Sequence, residues 1–457
     1  MKESKIDILL KPINSILKNE IVAGALLFMC AVIAMIWANS PLKESYYHLW
    51  ETHFTIRFGN FEVSKTLHHW INDGLMSVFF FVVGLELKRE IIGGELSTLK
   101  KAALPIGAAI GGMLVPALIF IALNPYNPAF SGWGIPMATD IAFALGVLIL
   151  LGKRVPVSIK LFLTALAITD DLGAVLVIAF FYTSDISFMN LAIGGGFMAT
   201  LIAANYLGVR NTLFYGIVGI GGLWLAFLLS GVHATIAGVL AAFAIPAKTK
   251  IDETSFIKKL KGYTERFEKA DPNHSPLITT KQLHIIQEIK TTSIHAETPL
   301  QRLEHAMHPL VAFIVVPVFA LANAGIELSG ETFSSLLHPV TIGVALGLVL
   351  GKFVGVAGFS FLLVKTKIAV LPRGVNWVHI CGVALLAGIG FTMSLFISEL
   401  AFTDPAMILQ AKLGIIIASV TAATLGFVVL LMMGSKQNSS AENNKSSSKN
   451  NNIHKNK

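Results

Sequence analysis

The sequence predicts an all-α polytopic membrane protein of twelve transmembrane helices, with one short β-hairpin outside them. Three observations carry the prediction. The 457 residues are 54% hydrophobic and only 14% charged, whereas soluble domains carry roughly 25% charged residues. Apolar runs of about 20 residues recur along the chain, the length a helix needs to cross a bilayer. The lysines and arginines gather in alternate loops and in the tail, which is the pattern of membrane orientation. The net charge of +8 therefore points to a lipid bilayer as partner and not to nucleic acid.

Taken in order, the spans fall near 19–38, 70–92, 102–124, 133–151, 157–182, 189–207, 213–229, 231–246, 309–326, 339–363, 376–398 and 406–433. The first follows four lysines and has no small-residue cleavage site, so it reads as a retained helix and not a signal peptide. Only Ser230-Gly231 separates the seventh from the eighth. Loop charge keeps them apart. With the N-terminus cytoplasmic, the inside loops hold Lys100 and Lys101, Lys153 and Arg154, Arg210, and Lys365 with Lys367 and Arg373. The outside gaps 125–132, 183–188, 327–338 and 399–405 hold neither Lys nor Arg. Merging spans seven and eight would put the 364–375 loop and the lysine-bearing tail outside, against the positive-inside bias. The expected location is the bacterial inner membrane, with both termini cytoplasmic. Cys30 and Cys381 both lie in apolar runs, where neither a disulfide nor a metal cluster is expected.

Residues 1–433 read as one transmembrane domain with two insertions. In the 39–69 connection, Phe54-Thr-Ile-Arg-Phe58, Gly59-Asn60 and Phe61-Glu-Val-Ser-Lys65 alternate and turn as a β-hairpin. A lone two-stranded ribbon is marginal, and its open edges suit pairing with a second copy. A homodimer through the hairpin at 52–65 is the expectation. The polar 247–307 segment reads as a long cytoplasmic linker with amphipathic helical pieces such as Phe256–Leu260 and a turn at Asp271-Pro272-Asn273. Thr298-Pro299-Leu300-Gln301 has the form of a capping box that opens the ninth helix. The Ser/Asn/Lys-rich tail, 434–457, reads as disordered.

The chemistry centres on Asp170-Asp171, in the middle of the fifth span. Each ionised Asp near a helix centre costs about 2.5–3.5 kcal/mol even on a lenient scale. Burial without a partner makes the ionised form costly; a proton or a small hard cation relieves it, and the two then compete for one site. Adjacent helical residues point about 100° apart, so the pair cannot face one partner together. Lys352, midway along the tenth span, needs an ion-pair partner, and Asp170 and Asp171 are both candidates. The carboxylate left over would line a cavity with Asp140. Pro136 followed by Thr139-Asp140 marks the fourth span as interrupted, and Gly388-Ile389-Gly390 marks the eleventh. Broken helices expose half-helix ends with partial charge, which Asp140 and Lys352 could balance. The second span carries Asp73 near its outer end, and Glu86, Lys88, Arg89 and Glu90 near its cytoplasmic mouth.

With those residues in view, the chain resembles the NhaA-type sodium/proton antiporter family. The matching stretches are Ala138-Thr139-Asp140-Ile-Ala-Phe-Ala-Leu-Gly146, Leu166-Ala-Ile-Thr-Asp170-Asp171-Leu-Gly173 and Gly84-Leu-Glu86-Leu-Lys-Arg89-Glu90. Ser230-Gly-Val-His233-Ala-Thr, Arg302-Leu-Glu304-His305 and Gly388-Ile-Gly-Phe-Thr-Met-Ser394 match as well. The resemblance implies inverted repeats in spans 3–5 and 10–12, with broken spans 4 and 11 crossing at the midplane. Paired interrupted helices mark a midplane ion site, and this family is itself one of the cases behind that rule. The resemblance further implies that Asp171, Asp170 and Thr139 bind Na⁺ or Li⁺, with no cofactor. It implies an Asp170–Lys352 salt bridge in the proton-loaded state, and Asp140 and Lys352 as charge compensation. Exchange would be electrogenic, two protons inward for one sodium outward. Glu86, Arg89, Glu304, His305 and His308 match the family's cytoplasmic pH-sensing region, and His233 a histidine that modulates pH response. Two departures, Gln301 in place of a basic residue and the long 247–300 linker, fall at the pH-response end.

Other readings of buried carboxylates are disfavoured by the residues. An intramembrane aspartyl protease would carry a Gly-Asp dipeptide, and this chain has none. A passive channel builds its filter from carbonyl or charge rings, not from a contiguous Asp pair and a lysine. A purely structural network leaves the cost of two intramembrane carboxylates unexplained.

Overall fold

The computed structural model describes residues 20–59, 61–183, 186–270, 277–328 and 330–453. The chain is mostly helical. Helix α1 is Glu20–Ala38 and α2 Lys43–Glu51; strands β1, His53–Phe58, and β2, Phe61–Thr66, follow. A π-helical turn at Trp70–Leu75 leads into α3, Met76–Gly93, and α4 is Leu99–Leu123. A 3-10 stretch, Ala129–Met137, gives way to three non-helical residues before α5, Ile141–Leu150. Then come α6, Val157–Phe181, α7, Phe188–Tyr206, α8, Thr212–Leu228, and α9, Ala234–Ala244. Two helices occupy the polar insertion: α10, Glu253–Glu268, and α11, Thr280–Ala296. The rest are α12, Pro299–Asn323, α13, Pro339–Lys365, α14, Trp377–Leu386, α15, Phe391–Ala401, and α16, Pro405–Ile453.

Among the described residues, eight helices are long and apolar enough to cross a membrane, or nine with α14–α15, bent by 46° at its break, taken as one span. The protein is thus a multi-pass membrane protein. Helix α3 falls outside that set because Glu86, Lys88, Arg89 and Glu90 share it, and α8 and α9 because they are short. Exposed apolar side chains such as Phe28, Leu118 and Phe180 suit contact with lipid tails, which are as apolar as they are.

The hairpin forms where alternation placed it. β1 and β2 pair antiparallel with Phe58 opposite Phe61, and Gly59 takes φ +59°, which the tight turn needs. Trp70 Nε1 donates to the Phe54 carbonyl (3.0 Å) and ties the ribbon to the entrance of α3. The helix of the ninth span begins at Pro299, ten residues before its apolar run at 309–326 and where the Thr298–Gln301 capping box places it. Capping decides this, not hydropathy. The Thr298 hydroxyl accepts the Gln301 N–H (3.1 Å) and itself donates to Gln301 Oε1 (2.9 Å), so the box closes side chain to side chain. The Asp271-Pro272-Asn273 turn lies outside the described residues. The backbone of α16 stays helical to Ile453, past the apolar part that ends at Met432, where composition predicts disorder.

Helices α4 and α13 touch backbone to backbone. Gly343, Gly347, Gly351 and Gly355 recur every four residues along one side of α13. A Cβ on Gly355 would sit 2.1 Å from the Gly111 carbonyl oxygen, and one on Gly351 2.7 Å from Pro116 Cα. Backbone therefore touches backbone, as small residues allow in membrane helices. This seam fixes the depth and rotation of Lys352, the residue after Gly351.

Candidate functional site

Two interrupted segments meet in the centre. The break at 138–140 between the 3-10 stretch and α5 touches the break at 387–390 between α14 and α15. Asp140 N–H donates to the Ile389 carbonyl (2.6 Å), and the Ser394 hydroxyl to the Ile135 carbonyl (2.8 Å). One carboxylate serves both half-helices. Asp140 Oδ1 accepts the Phe143 N–H of α5 (3.0 Å); Oδ2 accepts the Thr392 N–H (2.9 Å) and hydroxyl (2.5 Å) of α15. Negative charge belongs at a helix N-terminus, and here two N-termini share it.

Around that crossing, Thr139, Asp140, Asp170, Asp171 and Lys352 are each at most 1% exposed. The Lys352 ammonium pairs with Asp170 Oδ2, which answers the choice the sequence left open. Thr139 Oγ1 lies 2.6 Å from Asp170 Oδ2 and 2.8 Å from the Ala387 carbonyl oxygen, two acceptors for a single hydroxyl proton. Asp140 lies within electrostatic reach of Asp171, but its own oxygens are taken up by the caps. Asp171 stands apart: among the described residues neither of its oxygens has a hydrogen-bond partner, nor does Asp170 Oδ1. Buried carboxylate oxygens are almost always satisfied. Three that are not, on two adjacent residues beside the Lys352 pair, leave hard oxygens open at the centre of the bundle; among the described residues no group of three or more His, Cys, Asp or Glu side chains is placed to hold a metal ion.

The family profile of Na⁺/H⁺ antiporter 1 matches residues 14–430. The chain belongs to this Na⁺/H⁺ antiporter family. It is 52% identical over 426 residues to the Na⁺/H⁺ antiporter NhaA of Oleidesulfovibrio alaskensis, covering 93% of this chain and 94% of that one. It is 50% identical over 426 residues to NhaA of Acidithiobacillus ferrooxidans, covering 92% and 97%. NhaA 2 of Syntrophotalea carbinolica is 49% identical over 427 residues, covering 93% and 97%. These relatives are named as transporters, not enzymes, and the Thr139-Asp140 and Asp170-Asp171 stretches fall inside the family match.

The remaining antiporter-motif residues divide between the two ends of the bundle. At the end away from the hairpin, the Arg89 guanidinium pairs with Glu304 Oε1 and with Glu90 Oε1 (3.0 Å), and Glu90 Oε2 accepts the Glu95 N–H (2.9 Å). His305 and His308 sit on the exposed side of α12, beside this cluster and outside its hydrogen bonds. Glu86 lies deeper on α3, within electrostatic reach of Asp171. His233 is not part of the group. It precedes α9 at the opposite end, with its Nε2 2.6 Å from the Tyr182 carbonyl oxygen. Gln301 is spent on the Thr298 cap.

Sequence reasoning passed over two polar roles. Thr392 is the partner that commits Asp140 to α15; its position directly after Gly390-Phe391 was the available signal. Lys88 read as one of four interfacial charges. Its ammonium instead caps the end of α9, donating to the carbonyls of Phe243 (2.6 Å) and Ile245 (2.5 Å), as a cation does at a helix C-terminus.

Proposed function

We propose that this chain exchanges Na⁺ (or Li⁺) for H⁺ across the bacterial inner membrane, electrogenically and under pH control. The observation that carries the reading is Asp171: a carboxylate fully buried at mid-span with both oxygens unpartnered, beside a neutralised Lys352–Asp170 pair. With that pair formed, Asp171 is neutral only when it holds a proton. A cation entering from the Glu86 side takes oxygens from Asp171, Asp170 and Thr139. Asp170 then releases Lys352, which leaves its proton behind together with that of Asp171. The site's charge falls by one when two protons leave and one sodium enters, so each cycle moves one net charge. At about 100 mV that charge is worth about 2.3 kcal/mol, roughly a fifty-fold sodium gradient.

The architecture fits twelve crossings once α3, α8 and α9 are counted. Spans three to five and ten to twelve are each continuous, broken, continuous. They begin at an odd and an even span, so they run in opposite directions through the bilayer, as inverted repeats do. Lysine and arginine placement supports both termini in the cytoplasm. The Arg89–Glu90–Glu304 cluster is then the cytoplasmic pH-responsive mouth, with His305 and His308 at its rim and His233 acting from the outer end. The reading is tested in everted vesicles with a pH dye. Added NaCl is expected to drive proton release with a reversal potential set by two protons per sodium, and to do so more strongly as pH rises. Flux without sodium dependence, or a voltage-insensitive one-for-one exchange, would refute the respective part.

The hairpin presents two unpaired strand edges and exposed Phe54 and Ile56. The occupant proposed is the same ribbon of a second subunit. Deleting residues 53–65 is expected to shift the detergent-purified protein from dimer to monomer by light scattering; an unchanged mass would place the contact elsewhere.

A further inference from the structure

The route from the site to the two faces is asymmetric. Toward the end away from the hairpin, ionisable groups follow one another: Glu86, then Arg89, Glu90 and Glu304. Toward the hairpin there is an aromatic layer. Phe396 of α15 lies one turn beyond Thr392, Asp140's partner. Its ring is 5.9 Å from that of Phe80 on α3 and 6.3 Å from that of Phe319 on α12. All three are fully buried. Asp171 feels Glu86 on α3, and Phe80 is six residues nearer the hairpin on that helix, about 9 Å along it. The three rings thus lie on the hairpin side of the level at which Glu86 acts on Asp171.

Beyond the rings sits a polar lock. Asn323, the last residue of α12, gives one amide hydrogen to Asn72 Oδ1 (3.0 Å) and one to the Phe319 carbonyl (2.9 Å). His68 Nε2 is 3.0 Å from Asn323 Oδ1, and His68 lies in the helical turn Leu67–His69 that follows β2. Lys412 and Glu399, 2.8 Å apart, pair α16 to the end of α15 nearby. Asn323 therefore ties α12 to the turn that leads into α3 and to the hairpin's base, next to the rings.

We propose that Phe80, Phe319 and Phe396 are the outer gate of the carrier and that Asn323, through Asn72 and His68, is the residue that keeps it shut. The gate rests on the antiport reading. A hydrophobic constriction excludes water and hydrated ions until its walls part. Alternating access then requires α12 and α15 to move off α3, and the Asn323 hydrogen bonds must break as they do.

Val315 lies one turn below Phe319 on the same side of α12 and is buried, so a thiol there reports water that has passed the rings. The test replaces Cys30 and Cys381 by Ser, introduces Val315→Cys, and measures labelling by a charged, impermeant thiol reagent added to the hairpin side of sealed vesicles. Phe80→Ala with Phe396→Ala is expected to speed labelling about tenfold or more. Asn323→Leu, which keeps the rings and the volume but loses the hydrogen bonds, is expected to speed it about tenfold. Phe396→Leu is expected to label at the parent rate. Unchanged labelling in Asn323→Leu and in the double alanine variant, both folded by size-exclusion chromatography, would overturn the gate. Sodium-driven proton flux in the parent is scored separately. Its absence would sink the antiport reading while leaving the labelling result to stand or fall by itself.

Discussion

Asp171→Asn is expected to abolish sodium-dependent proton release while the protein inserts and purifies as the parent does. The amide keeps the shape of the carboxyl, and no hydrogen bond is lost, because neither Asp171 oxygen makes one among the described residues. What disappears is the anionic charge and the exchangeable proton. A carboxylate about 3 Å from a monovalent cation, at an effective dielectric of about 20, contributes about 5 kcal/mol, on the order of several thousand-fold in affinity. Everted vesicles with a pH dye read the exchange, and calorimetry on purified protein reads sodium uptake. Thermal stability is expected to hold or rise, since a buried carboxyl without partners does nothing for the fold. Retained exchange in this variant would remove the site from Asp171.

Lys352→Met has the larger structural effect. The lysine is fully buried and pairs with a fully buried Asp170. Removing one member of such a pair leaves an uncompensated charge and costs about 3–5 kcal/mol. Adding Asp170→Asn removes the second charge and should restore most of that loss, since adjoining groups couple strongly in double-mutant cycles. The single variant should be most unstable at alkaline pH and recover as pH falls, because a proton on Asp170 cancels the orphaned charge. The apparent melting temperature in detergent, scanned at one rate across pH, reads all three proteins. Equal, pH-independent losses in the single and double variants would mean that packing of the lysine stem against Gly112, not the ion pair, is what the lysine supplies. The double variant is expected not to regain exchange, as neither Lys352's proton nor Asp170's charge returns.

The carboxyl pair, the buried lysine and both helix breaks were legible from hydropathy and composition, because the cost of a charge in lipid belongs to the residue itself. Residue partners were another matter. Lys352 could have met Asp170 or Asp171; the rotation of α6 against α13, set by glycines that let α13 lie on α4, gives it Asp170. Asp140 read as one charge balancing half-helix ends, but its capping of α15 depends on Thr392, which is 252 positions away. The start of α12 was legible ahead of its apolar run, because the Thr298–Gln301 cap is a local signal that hydropathy does not carry.

Sequence by itself determined that this chain lives in a membrane, that a few ionisable side chains sit where lipid forbids bare charge, and that two helices are broken near them. Those are sums of local transfer energies and backbone preferences. Tertiary structure alone decided which acid is neutralised, which caps the crossing and which is left with open oxygens. Each of those outcomes is a hydrogen bond or ion pair between segments remote in the chain, and its geometry exists only once the helices have crossed.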